Sequence, residues 1–358
     1  MWVAVDRPWR SQDSTIYLDH LLTFYAKQRN MSEPWQILLP PQIDPAGPSS
    51  ITDFAECTGM DEYESVDAAF DDIARYDAVI VRVAELDREV IERATNLRVI
   101  AKHGAGLDNV DIKAASENDV VVCNTPGVNS RSVAEHAIAL LFGLRRNLHT
   151  ADRHVRAGGW ERSEHVGHEL RDDTLGLMGF GAIASDTATI AQGVGQAVVV
   201  YDPFISDADV PAGIDRVGEL TELFARSDAV SIHVPLVDGT RHAVSTEQLA
   251  ALGENGVVIN TARGGIIDEA ALIEALADGL IGGAGLDNFE QEPPTADNPL
   301  LDRDDVLLTP HVGGVTYNAV ERMSTEAAAN IRTVYDGGLP DSTVNRGALA
   351  EQPPSVDD

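Results

Sequence analysis

Short runs of aliphatic and β-branched residues recur along the chain, separated by stretches with helical patterning. The first four lie at 36–39, 78–82, 98–101 and 120–123. Six more follow at 175–178, 197–201, 229–233, 257–260, 283–287 and 306–308. They do not alternate strictly between apolar and polar residues, as expected of strands covered on both faces. Helical stretches between such strands predict βαβ units and parallel sheets. Two series of strands in 358 residues predict two doubly wound α/β domains.

Charge narrows the partners. The chain has 26 Lys plus Arg against 58 Asp plus Glu, a net −32. That charge repels nucleic-acid phosphates and an anionic membrane surface. At 44% hydrophobic residues it is still a folding composition, unlike a disordered acidic tail. Only Lys27, Lys102 and Lys113 are lysines; the other cations are arginines. Few lysines, many arginines and an acidic coat resemble a protein from an extremely halophilic organism, where molar salt screens self-repulsion. Cys57 and Cys123 form no CxxC pattern, which fits a reducing cytoplasm. The N-terminal segment lacks the apolar core of a signal peptide, and no apolar run reaches the ~20 residues of a membrane span.

Between the two strand series, residues 132–156 read as one long helix, opened by Ser132 and Glu135 in capping-box spacing. Residues 137–142 are apolar all round, which predicts burial on every face. Burial between the two domains, or in a subunit interface as well, would satisfy that pattern. A further helix is expected at 17–31, and the last residues, 348–358, read as a frayed tail.

The strand at 175–178 runs into Gly179-Phe180-Gly181-Ala182-Ile183-Ala184 and a helix. This is GxGxxG with alanine in third place. Gly179 permits the tight turn, and Gly181 lets the backbone approach a pyrophosphate at the helix N-terminus. Asp202, 18 residues beyond Ala184, ends the next strand and would accept hydrogen bonds from the adenosine ribose diol. A carboxylate there repels a 2′-phosphate, so NAD is expected over NADP.

Three later strands are each followed by polar residues: Asn260-Thr261-Ala262-Arg263-Gly264-Gly265, then Asp287-Asn288-Phe289-Glu290-Gln291-Glu292, then Thr309-Pro310-His311-Val312-Gly313. The carboxyl ends of strands line the ligand crevice of an open parallel sheet. Arg263, Asp287, Glu292 and His311 are therefore candidates to converge beside a nicotinamide. His165 and His168 lack HExxH order, and no metal site is expected.

With these segments in view, the chain resembles the NAD-dependent D-2-hydroxyacid dehydrogenase family, the D-3-phosphoglycerate dehydrogenase group in particular. The resemblance also rests on Lys102-His103-Gly104-Ala105-Gly106-Leu107-Asp108-Asn109, Asn124-Thr125-Pro126-Gly127 and His233-Val234-Pro235-Leu236. It implies a flavodoxin-like substrate domain from 1–124 and 316–346, an inserted Rossmann NAD domain at 125–315, and a tail at 347–358. It also implies a homodimer built with the helix after Ser130.

By the same resemblance, Arg263 and the backbone N–H groups of Ala105 and Gly106 hold the substrate carboxylate. His311 is the acid/base on C2, and Glu292 keeps its imidazole protonated. Gly179, Gly181, Ala182, Ile183, Asp202, His233, Val234, Pro235, Thr261, Ala262, Asp287 and Gly313 would line the cofactor, Asp287 at the nicotinamide carboxamide. Arg82 and Lys102 match positions that contact a phosphate, which suits a substrate with a second anionic group. His103 stands where a small residue is usual. Thirteen residues follow Asn345, so no regulatory domain for feedback by serine is expected. Glyoxylate/hydroxypyruvate reduction is the alternative activity, and a non-catalytic NAD-sensing corepressor-like scaffold is a third reading.

Overall fold

The computed structural model describes residues 33–351, so the helix expected at 17–31 lies outside the described residues. The chain divides into two compact units. One is Ser130–Thr316; the other is built from the segments before and after it.

In the flanking unit, β1 (Trp35–Leu39), β2 (Ala55–Gly59), β3 (Ala78–Val81), β4 (Val99–Lys102) and β5 (Val121–Cys123) form one parallel sheet. Its order is β2-β1-β3-β4-β5, the flavodoxin-like order. Every residue of β3 and β4 is buried, which is why these strands read as apolar runs, Lys102 at the end of β4 excepted. Val79, Val81, Ile100 and Val122 face one core with Phe70 and Tyr76. Ala78, Ile80, Val99 and Ala101 face the other, covered by Ala327, Ala328 and Ile331 of the helix Tyr317–Tyr335.

The inserted unit holds β6 (Thr174–Met178), β7 (Ala197–Tyr201), β8 (Ile214–Arg216), β9 (Ala229–Ile232), β10 (Val257–Asn260), β11 (Gly283–Leu286) and β12 (Val306–Leu308). They lie in the order β12-β11-β10-β9-β6-β7-β8. Chain direction through the sheet reverses between β6 and β9, the topological switch point where doubly wound sheets bind ligands. Among the described residues no helix is long and apolar enough to cross a membrane.

Two strands escape the sequence pattern, β2 and β8, and both are sheet edges. Their residues, AECTG and IDR, are mostly half-buried or exposed, so the apolar signal of a doubly covered strand is missing. The expected helix over 132–156 is two helices, Ser130–Arg145 and Leu148–Arg156. Asn147 breaks it in the left-handed conformation, at φ 51°, a state Asn tolerates better than most residues. Ser132 therefore lies inside the first helix and does not cap it; its Oγ pairs with Thr316 Oγ1 at 2.9 Å.

The apolar middle of that helix is not buried on every face. Ala139 is exposed and Phe142 half-buried. Ala137, Ile138, Leu140, Leu141 and Leu144 pack with Leu175, Leu177, Val198 and Ile259 of this unit's own sheet. The expected tail is also partly ordered: Arg346–Glu351 is helical, and Leu349 joins the flanking unit's core at 4% exposure.

The helix Ser130–Arg145 is anchored by a buried ion pair at its last residue. Arg145 Nε donates to Asp173 Oδ2 at 2.8 Å, and its Nη1 donates to the Asn255 carbonyl at 2.8 Å. Arg145 is 4% exposed. Removing one partner of a buried pair strands the other charge and costs about 3–5 kcal/mol. Arg145→Met should lower unfolding stability by roughly that amount in a denaturant titration; a loss below about 1 kcal/mol would mean the pair does not anchor the helix.

Candidate active site

The turn after β6 is built for close approach. Gly179 has φ +89°, and a Cβ on it would lie 2.8 Å from the His233 carbonyl oxygen and 2.7 Å from Val234 Cγ1. This glycine lets the loops after β6 and β9 pack at the switch point. Gly181 caps the helix Ala182–Gly193 without a side-chain hydrogen bond, and a Cβ there would meet nothing within 4 Å. Ala182 is exposed and Ile183 half-buried in the first turn, at the positive end of a twelve-residue helix. Asp202 follows β7; its Oδ2 accepts from the Phe180 N–H and its Oδ1 from the Phe204 N–H, both at 2.9 Å. The carboxylate is fixed against the glycine turn.

Two buried polar atoms nearby in the fold have no hydrogen-bond partner among the described residues. They are His233 Nε2, after β9, and Thr261 Oγ1, after β10. Burial pushes the His233 imidazole down to about 4, so it is neutral. Buried polar atoms seldom go unpaired. An open helix N-terminus, a fixed carboxylate and these two atoms fit a dinucleotide.

The loops after β10, β11 and β12 carry the polar constellation. Asn260 holds the first: its Oδ1 accepts from the Ala262 N–H at 3.0 Å and its Nδ2 donates to the Arg263 carbonyl at 2.8 Å. Sequence reasoning placed Asn260 in the motif but gave it no part. An Asn that ends a strand two residues before the turn's N–H it binds is an Asx-turn signal. Gly264 then crosses the second loop so closely that a Cβ would sit 1.9 Å from the Phe289 carbonyl carbon. That crossing sets Arg263 beside the Asp287–Glu292 segment.

Glu292 Oε2 lies 2.8 Å from His311 Nδ1, and Glu292 Oε1 accepts from the Phe289 N–H at 3.1 Å. Burial alone would raise the Glu292 carboxyl. The hydrogen bond and charge of His311, the Phe289 N–H and the charge of Arg263 outweigh it, holding the carboxyl below its ordinary value. His311 itself has φ 53°, a left-handed conformation uncommon outside glycine.

Asp287 explains how that backbone is held. It is 1% exposed. Its Oδ1 accepts from Thr309 Oγ1 at 2.6 Å and the Val312 N–H at 2.8 Å, and its Oδ2 from the Gly313 N–H at 2.8 Å. His136 Nε2 bonds Thr309 Oγ1 at 2.9 Å and stands 3.4 Å from Asp287 Oδ1. Burial would raise the Asp287 carboxyl, but His136, Thr309 and the two N–H groups hold it low. Asp287, expected at the nicotinamide, spends most of its accepting capacity bracing both sides of His311. Thr309 and His136 share that task without being singled out from the sequence; a Thr or His packed against a buried acid leaves no periodic signal.

On the flanking unit, Arg82 follows β3 and is half-buried. Lys102, expected to meet an anion, is 8% exposed and donates to the Arg82 carbonyl and to Asn109 Oδ1. Its ammonium is largely committed to bracing the loop. His103 is 4% exposed, with Nδ1 unpartnered and Nε2 3.3 Å from the Val320 carbonyl. Burial first lowers its pKa, helped by the charges of Arg82 and Lys102 and opposed by the hydrogen bond to the Val320 carbonyl. Ala105 is exposed on a loop tied down by Asn124 Nδ2, which donates to its carbonyl at 2.7 Å. Gly106, half-buried, follows it.

Fold and site together define a dinucleotide-dependent α/β oxidoreductase with a histidine–carboxylate pair. Residues 138–313 match the model for the D-isomer specific 2-hydroxyacid dehydrogenase NAD-binding domain. The chain is 44% identical to (S)-sulfolactate dehydrogenase of Chromohalobacter salexigens, over 71% of this chain and 83% of that protein. It is 40% identical to D-3-phosphoglycerate dehydrogenase of Methanocaldococcus jannaschii, over 77% of this chain but 53% of that longer protein. It thus spans about half the length of that relative. The NADPH-dependent glyoxylate/hydroxypyruvate reductase of Sinorhizobium meliloti, solved with NADP and malonate, superposes with a TM-score of 0.77 at 30% identity, over 90% of this chain and all of that one. The chain belongs to the D-isomer specific 2-hydroxyacid dehydrogenase family. It is an NAD-linked enzyme of 2-hydroxy and 2-oxo acids.

The Gly264 crossing makes a direct test of the loop arrangement. Gly264→Val should force the Arg263 and Glu292 loops apart and lower kcat/KM at least tenfold. Unchanged steady-state kinetics would show that the crossing does not set the site.

Proposed function

We propose that His311 is the acid/base of the reaction, with Glu292 as its partner and Arg263 as the carboxylate anchor. The 2.8 Å contact between His311 Nδ1 and Glu292 carries the reading. With Nδ1 engaged by an ionised carboxylate, Nε2 is the nitrogen that gives a proton to the substrate carbonyl oxygen and takes it back in the reverse direction. NAD(H), when bound, takes or supplies the hydride at C2. The guanidinium of Arg263 suits a planar carboxylate because it donates in bidentate fashion. The glycine turn, the first turn of the helix Ala182–Gly193, Asp202, His233 and Thr261 would hold the dinucleotide, and the Asp202 carboxylate favours NAD over NADP.

The substrate class we propose is a 2-hydroxy acid with a second anionic group. Arg82 supports it: its guanidinium makes no hydrogen bond or ion pair among the described residues, in a chain with 58 acids. Sulfolactate and 3-phosphoglycerate, named for two of the relatives, both carry such a group. Glyoxylate does not. We further propose a homodimer and a salt requirement. Leu148, Val155, Trp160 and Val166, all within residues 148–166, are 53–77% exposed, apolar surface that assembly would cover. The net charge of −32 calls for screening.

His311→Ala should cut turnover by about 10²–10⁴ while NADH fluorescence still reports binding; near-normal turnover would remove His311 from the mechanism. Arg82→Leu should raise KM for 3-phosphohydroxypyruvate or sulfopyruvate at least tenfold and leave glyoxylate unchanged, measured as NADH oxidation in molar KCl. Equal effects on all substrates would remove the second-anion subsite. Asp202→Ala should narrow the NAD/NADP ratio of kcat/KM, and an unchanged ratio would take Asp202 away from the ribose.

A further inference from the structure

A second constellation of ligand-type side chains lies within the inserted unit, outside the oxidoreductase site. His154 sits on the helix Leu148–Arg156, and Glu164 and His165 on the single turn Arg162–His165 that follows it. One ligand atom from each of the three lies within 4.8 Å of the others. The two imidazole rings are 4.9 Å apart, centre to centre. Both ring nitrogens of His165 are shielded from solvent and have no hydrogen-bond partner among the described residues. Such a ring gains nothing from its shielding unless something binds it.

The surroundings hold the rings in place. His154 lies over Gly159, where a Cβ would come within 2.2 Å of its Nε2. That Nε2 is engaged by Glu161, 2.7 Å from its Oε2 and 3.3 Å from its backbone N–H, so binding an ion through Nε2 would displace that contact. The Glu161 carboxyl is held below its ordinary range by the Trp160 N–H first and by His154 next. The second group of this kind, His242, Asp268 and Glu290, differs in that both of its carboxylates are taken, whereas in the first only His154 is engaged, by Glu161. The carboxylates of the second group are engaged by Ser245 Oγ, by the Glu269 N–H and by His242 itself.

We propose that His154, Glu164 and His165 bind one divalent transition-metal ion, for which zinc is the best fit. Two imidazoles and a carboxylate are a zinc donor set, whereas Mg²⁺ and Ca²⁺ prefer all-oxygen sites. Tetrahedral zinc spaces its ligand atoms about 3.3 Å apart, given bond lengths near 2.0–2.1 Å. The three ligand atoms now lie within 4.8 Å, so the set must close on the ion when it binds. The ion clips the turn at 162–165 back onto the helix before it, in a stretch where neither the helix Leu148–Arg156 nor that turn buries a residue. Its role is structural and does not depend on the proposed chemistry at His311.

The test is zinc titration of chelator-treated protein by calorimetry, in molar KCl with excess Mg²⁺ to occupy carboxylate-only sites. The wild-type protein should bind one equivalent of zinc more than H154A/H165A, and that equivalent should raise its Tm. His154→Ala and His165→Ala alone should each weaken it at least tenfold, with turnover of the zinc-free variants unchanged. Superimposable isotherms and melts for wild type and H154A/H165A would overturn the proposal. Loss of the equivalent in H242A instead would overturn it too.

Discussion

The candidate active site depends on one buried carboxylate. Asp287 leaves β11 and accepts hydrogen bonds from Thr309, Val312 and Gly313, residues on both sides of His311. A left-handed backbone at a non-glycine residue costs of order 1–3 kcal/mol and persists only where its surroundings over-determine it. Three donors converging on a group 1% exposed supply that determination. Without them the loop would relax, and the His311–Glu292 contact would have no fixed geometry. The ionised state of Asp287 is itself a product of the same contacts, since burial alone favours the neutral acid.

The strand framework was legible because the central strands are buried on both faces. β3, β4, β9 and β10 have no exposed residue and read as apolar runs interrupted only by Lys102, Ser231 and Asn260. The edge strands β2 and β8 were not legible, because an edge with half-exposed residues has the composition of a loop. The pattern also could not show the break at Asn147. Helical periodicity continues through it, and a single left-handed residue alters the direction of a chain without altering its composition. Ser132 failed as a cap for a related reason: spacing alone does not separate a cap from a serine bonded elsewhere, here to Thr316.

Within the candidate site, the residues proposed to meet a ligand share an address that a sequence can show. The glycines, Asp202, Arg263, Glu292 and His311 stand in the loops that follow strands, where the topology of a parallel sheet makes polar residues informative. Residues that act on other residues were opaque. Asn260 clamps the Arg263 loop, and Lys102 turns inward to the Arg82 carbonyl and Asn109. Lys102 is the instructive case. A cation in an acidic chain invites an anion as partner, yet a lysine at the buried end of β4 must satisfy its N–H groups locally, because burial leaves no water to do so.

The same reasoning separates two kinds of charge in this protein. Arg332 with Asp53, Arg226 with Asp215 and Arg93 with Asp71 are exposed pairs, each worth little and screened by salt. Arg145 with Asp173 is buried, and salt does not reach it. A chain at −32 therefore answers ionic strength mainly through its coat. Asp287 belongs to the other class: it is 1% exposed, and the Thr309, Val312 and Gly313 donors that fix the His311 loop meet it out of reach of screening ions, whereas Glu292 and His311 themselves are exposed. Salt that relaxes the repulsion of the surface leaves those local interactions in force, so a strongly acidic exterior and a site that binds anionic substrates are physically compatible in one fold.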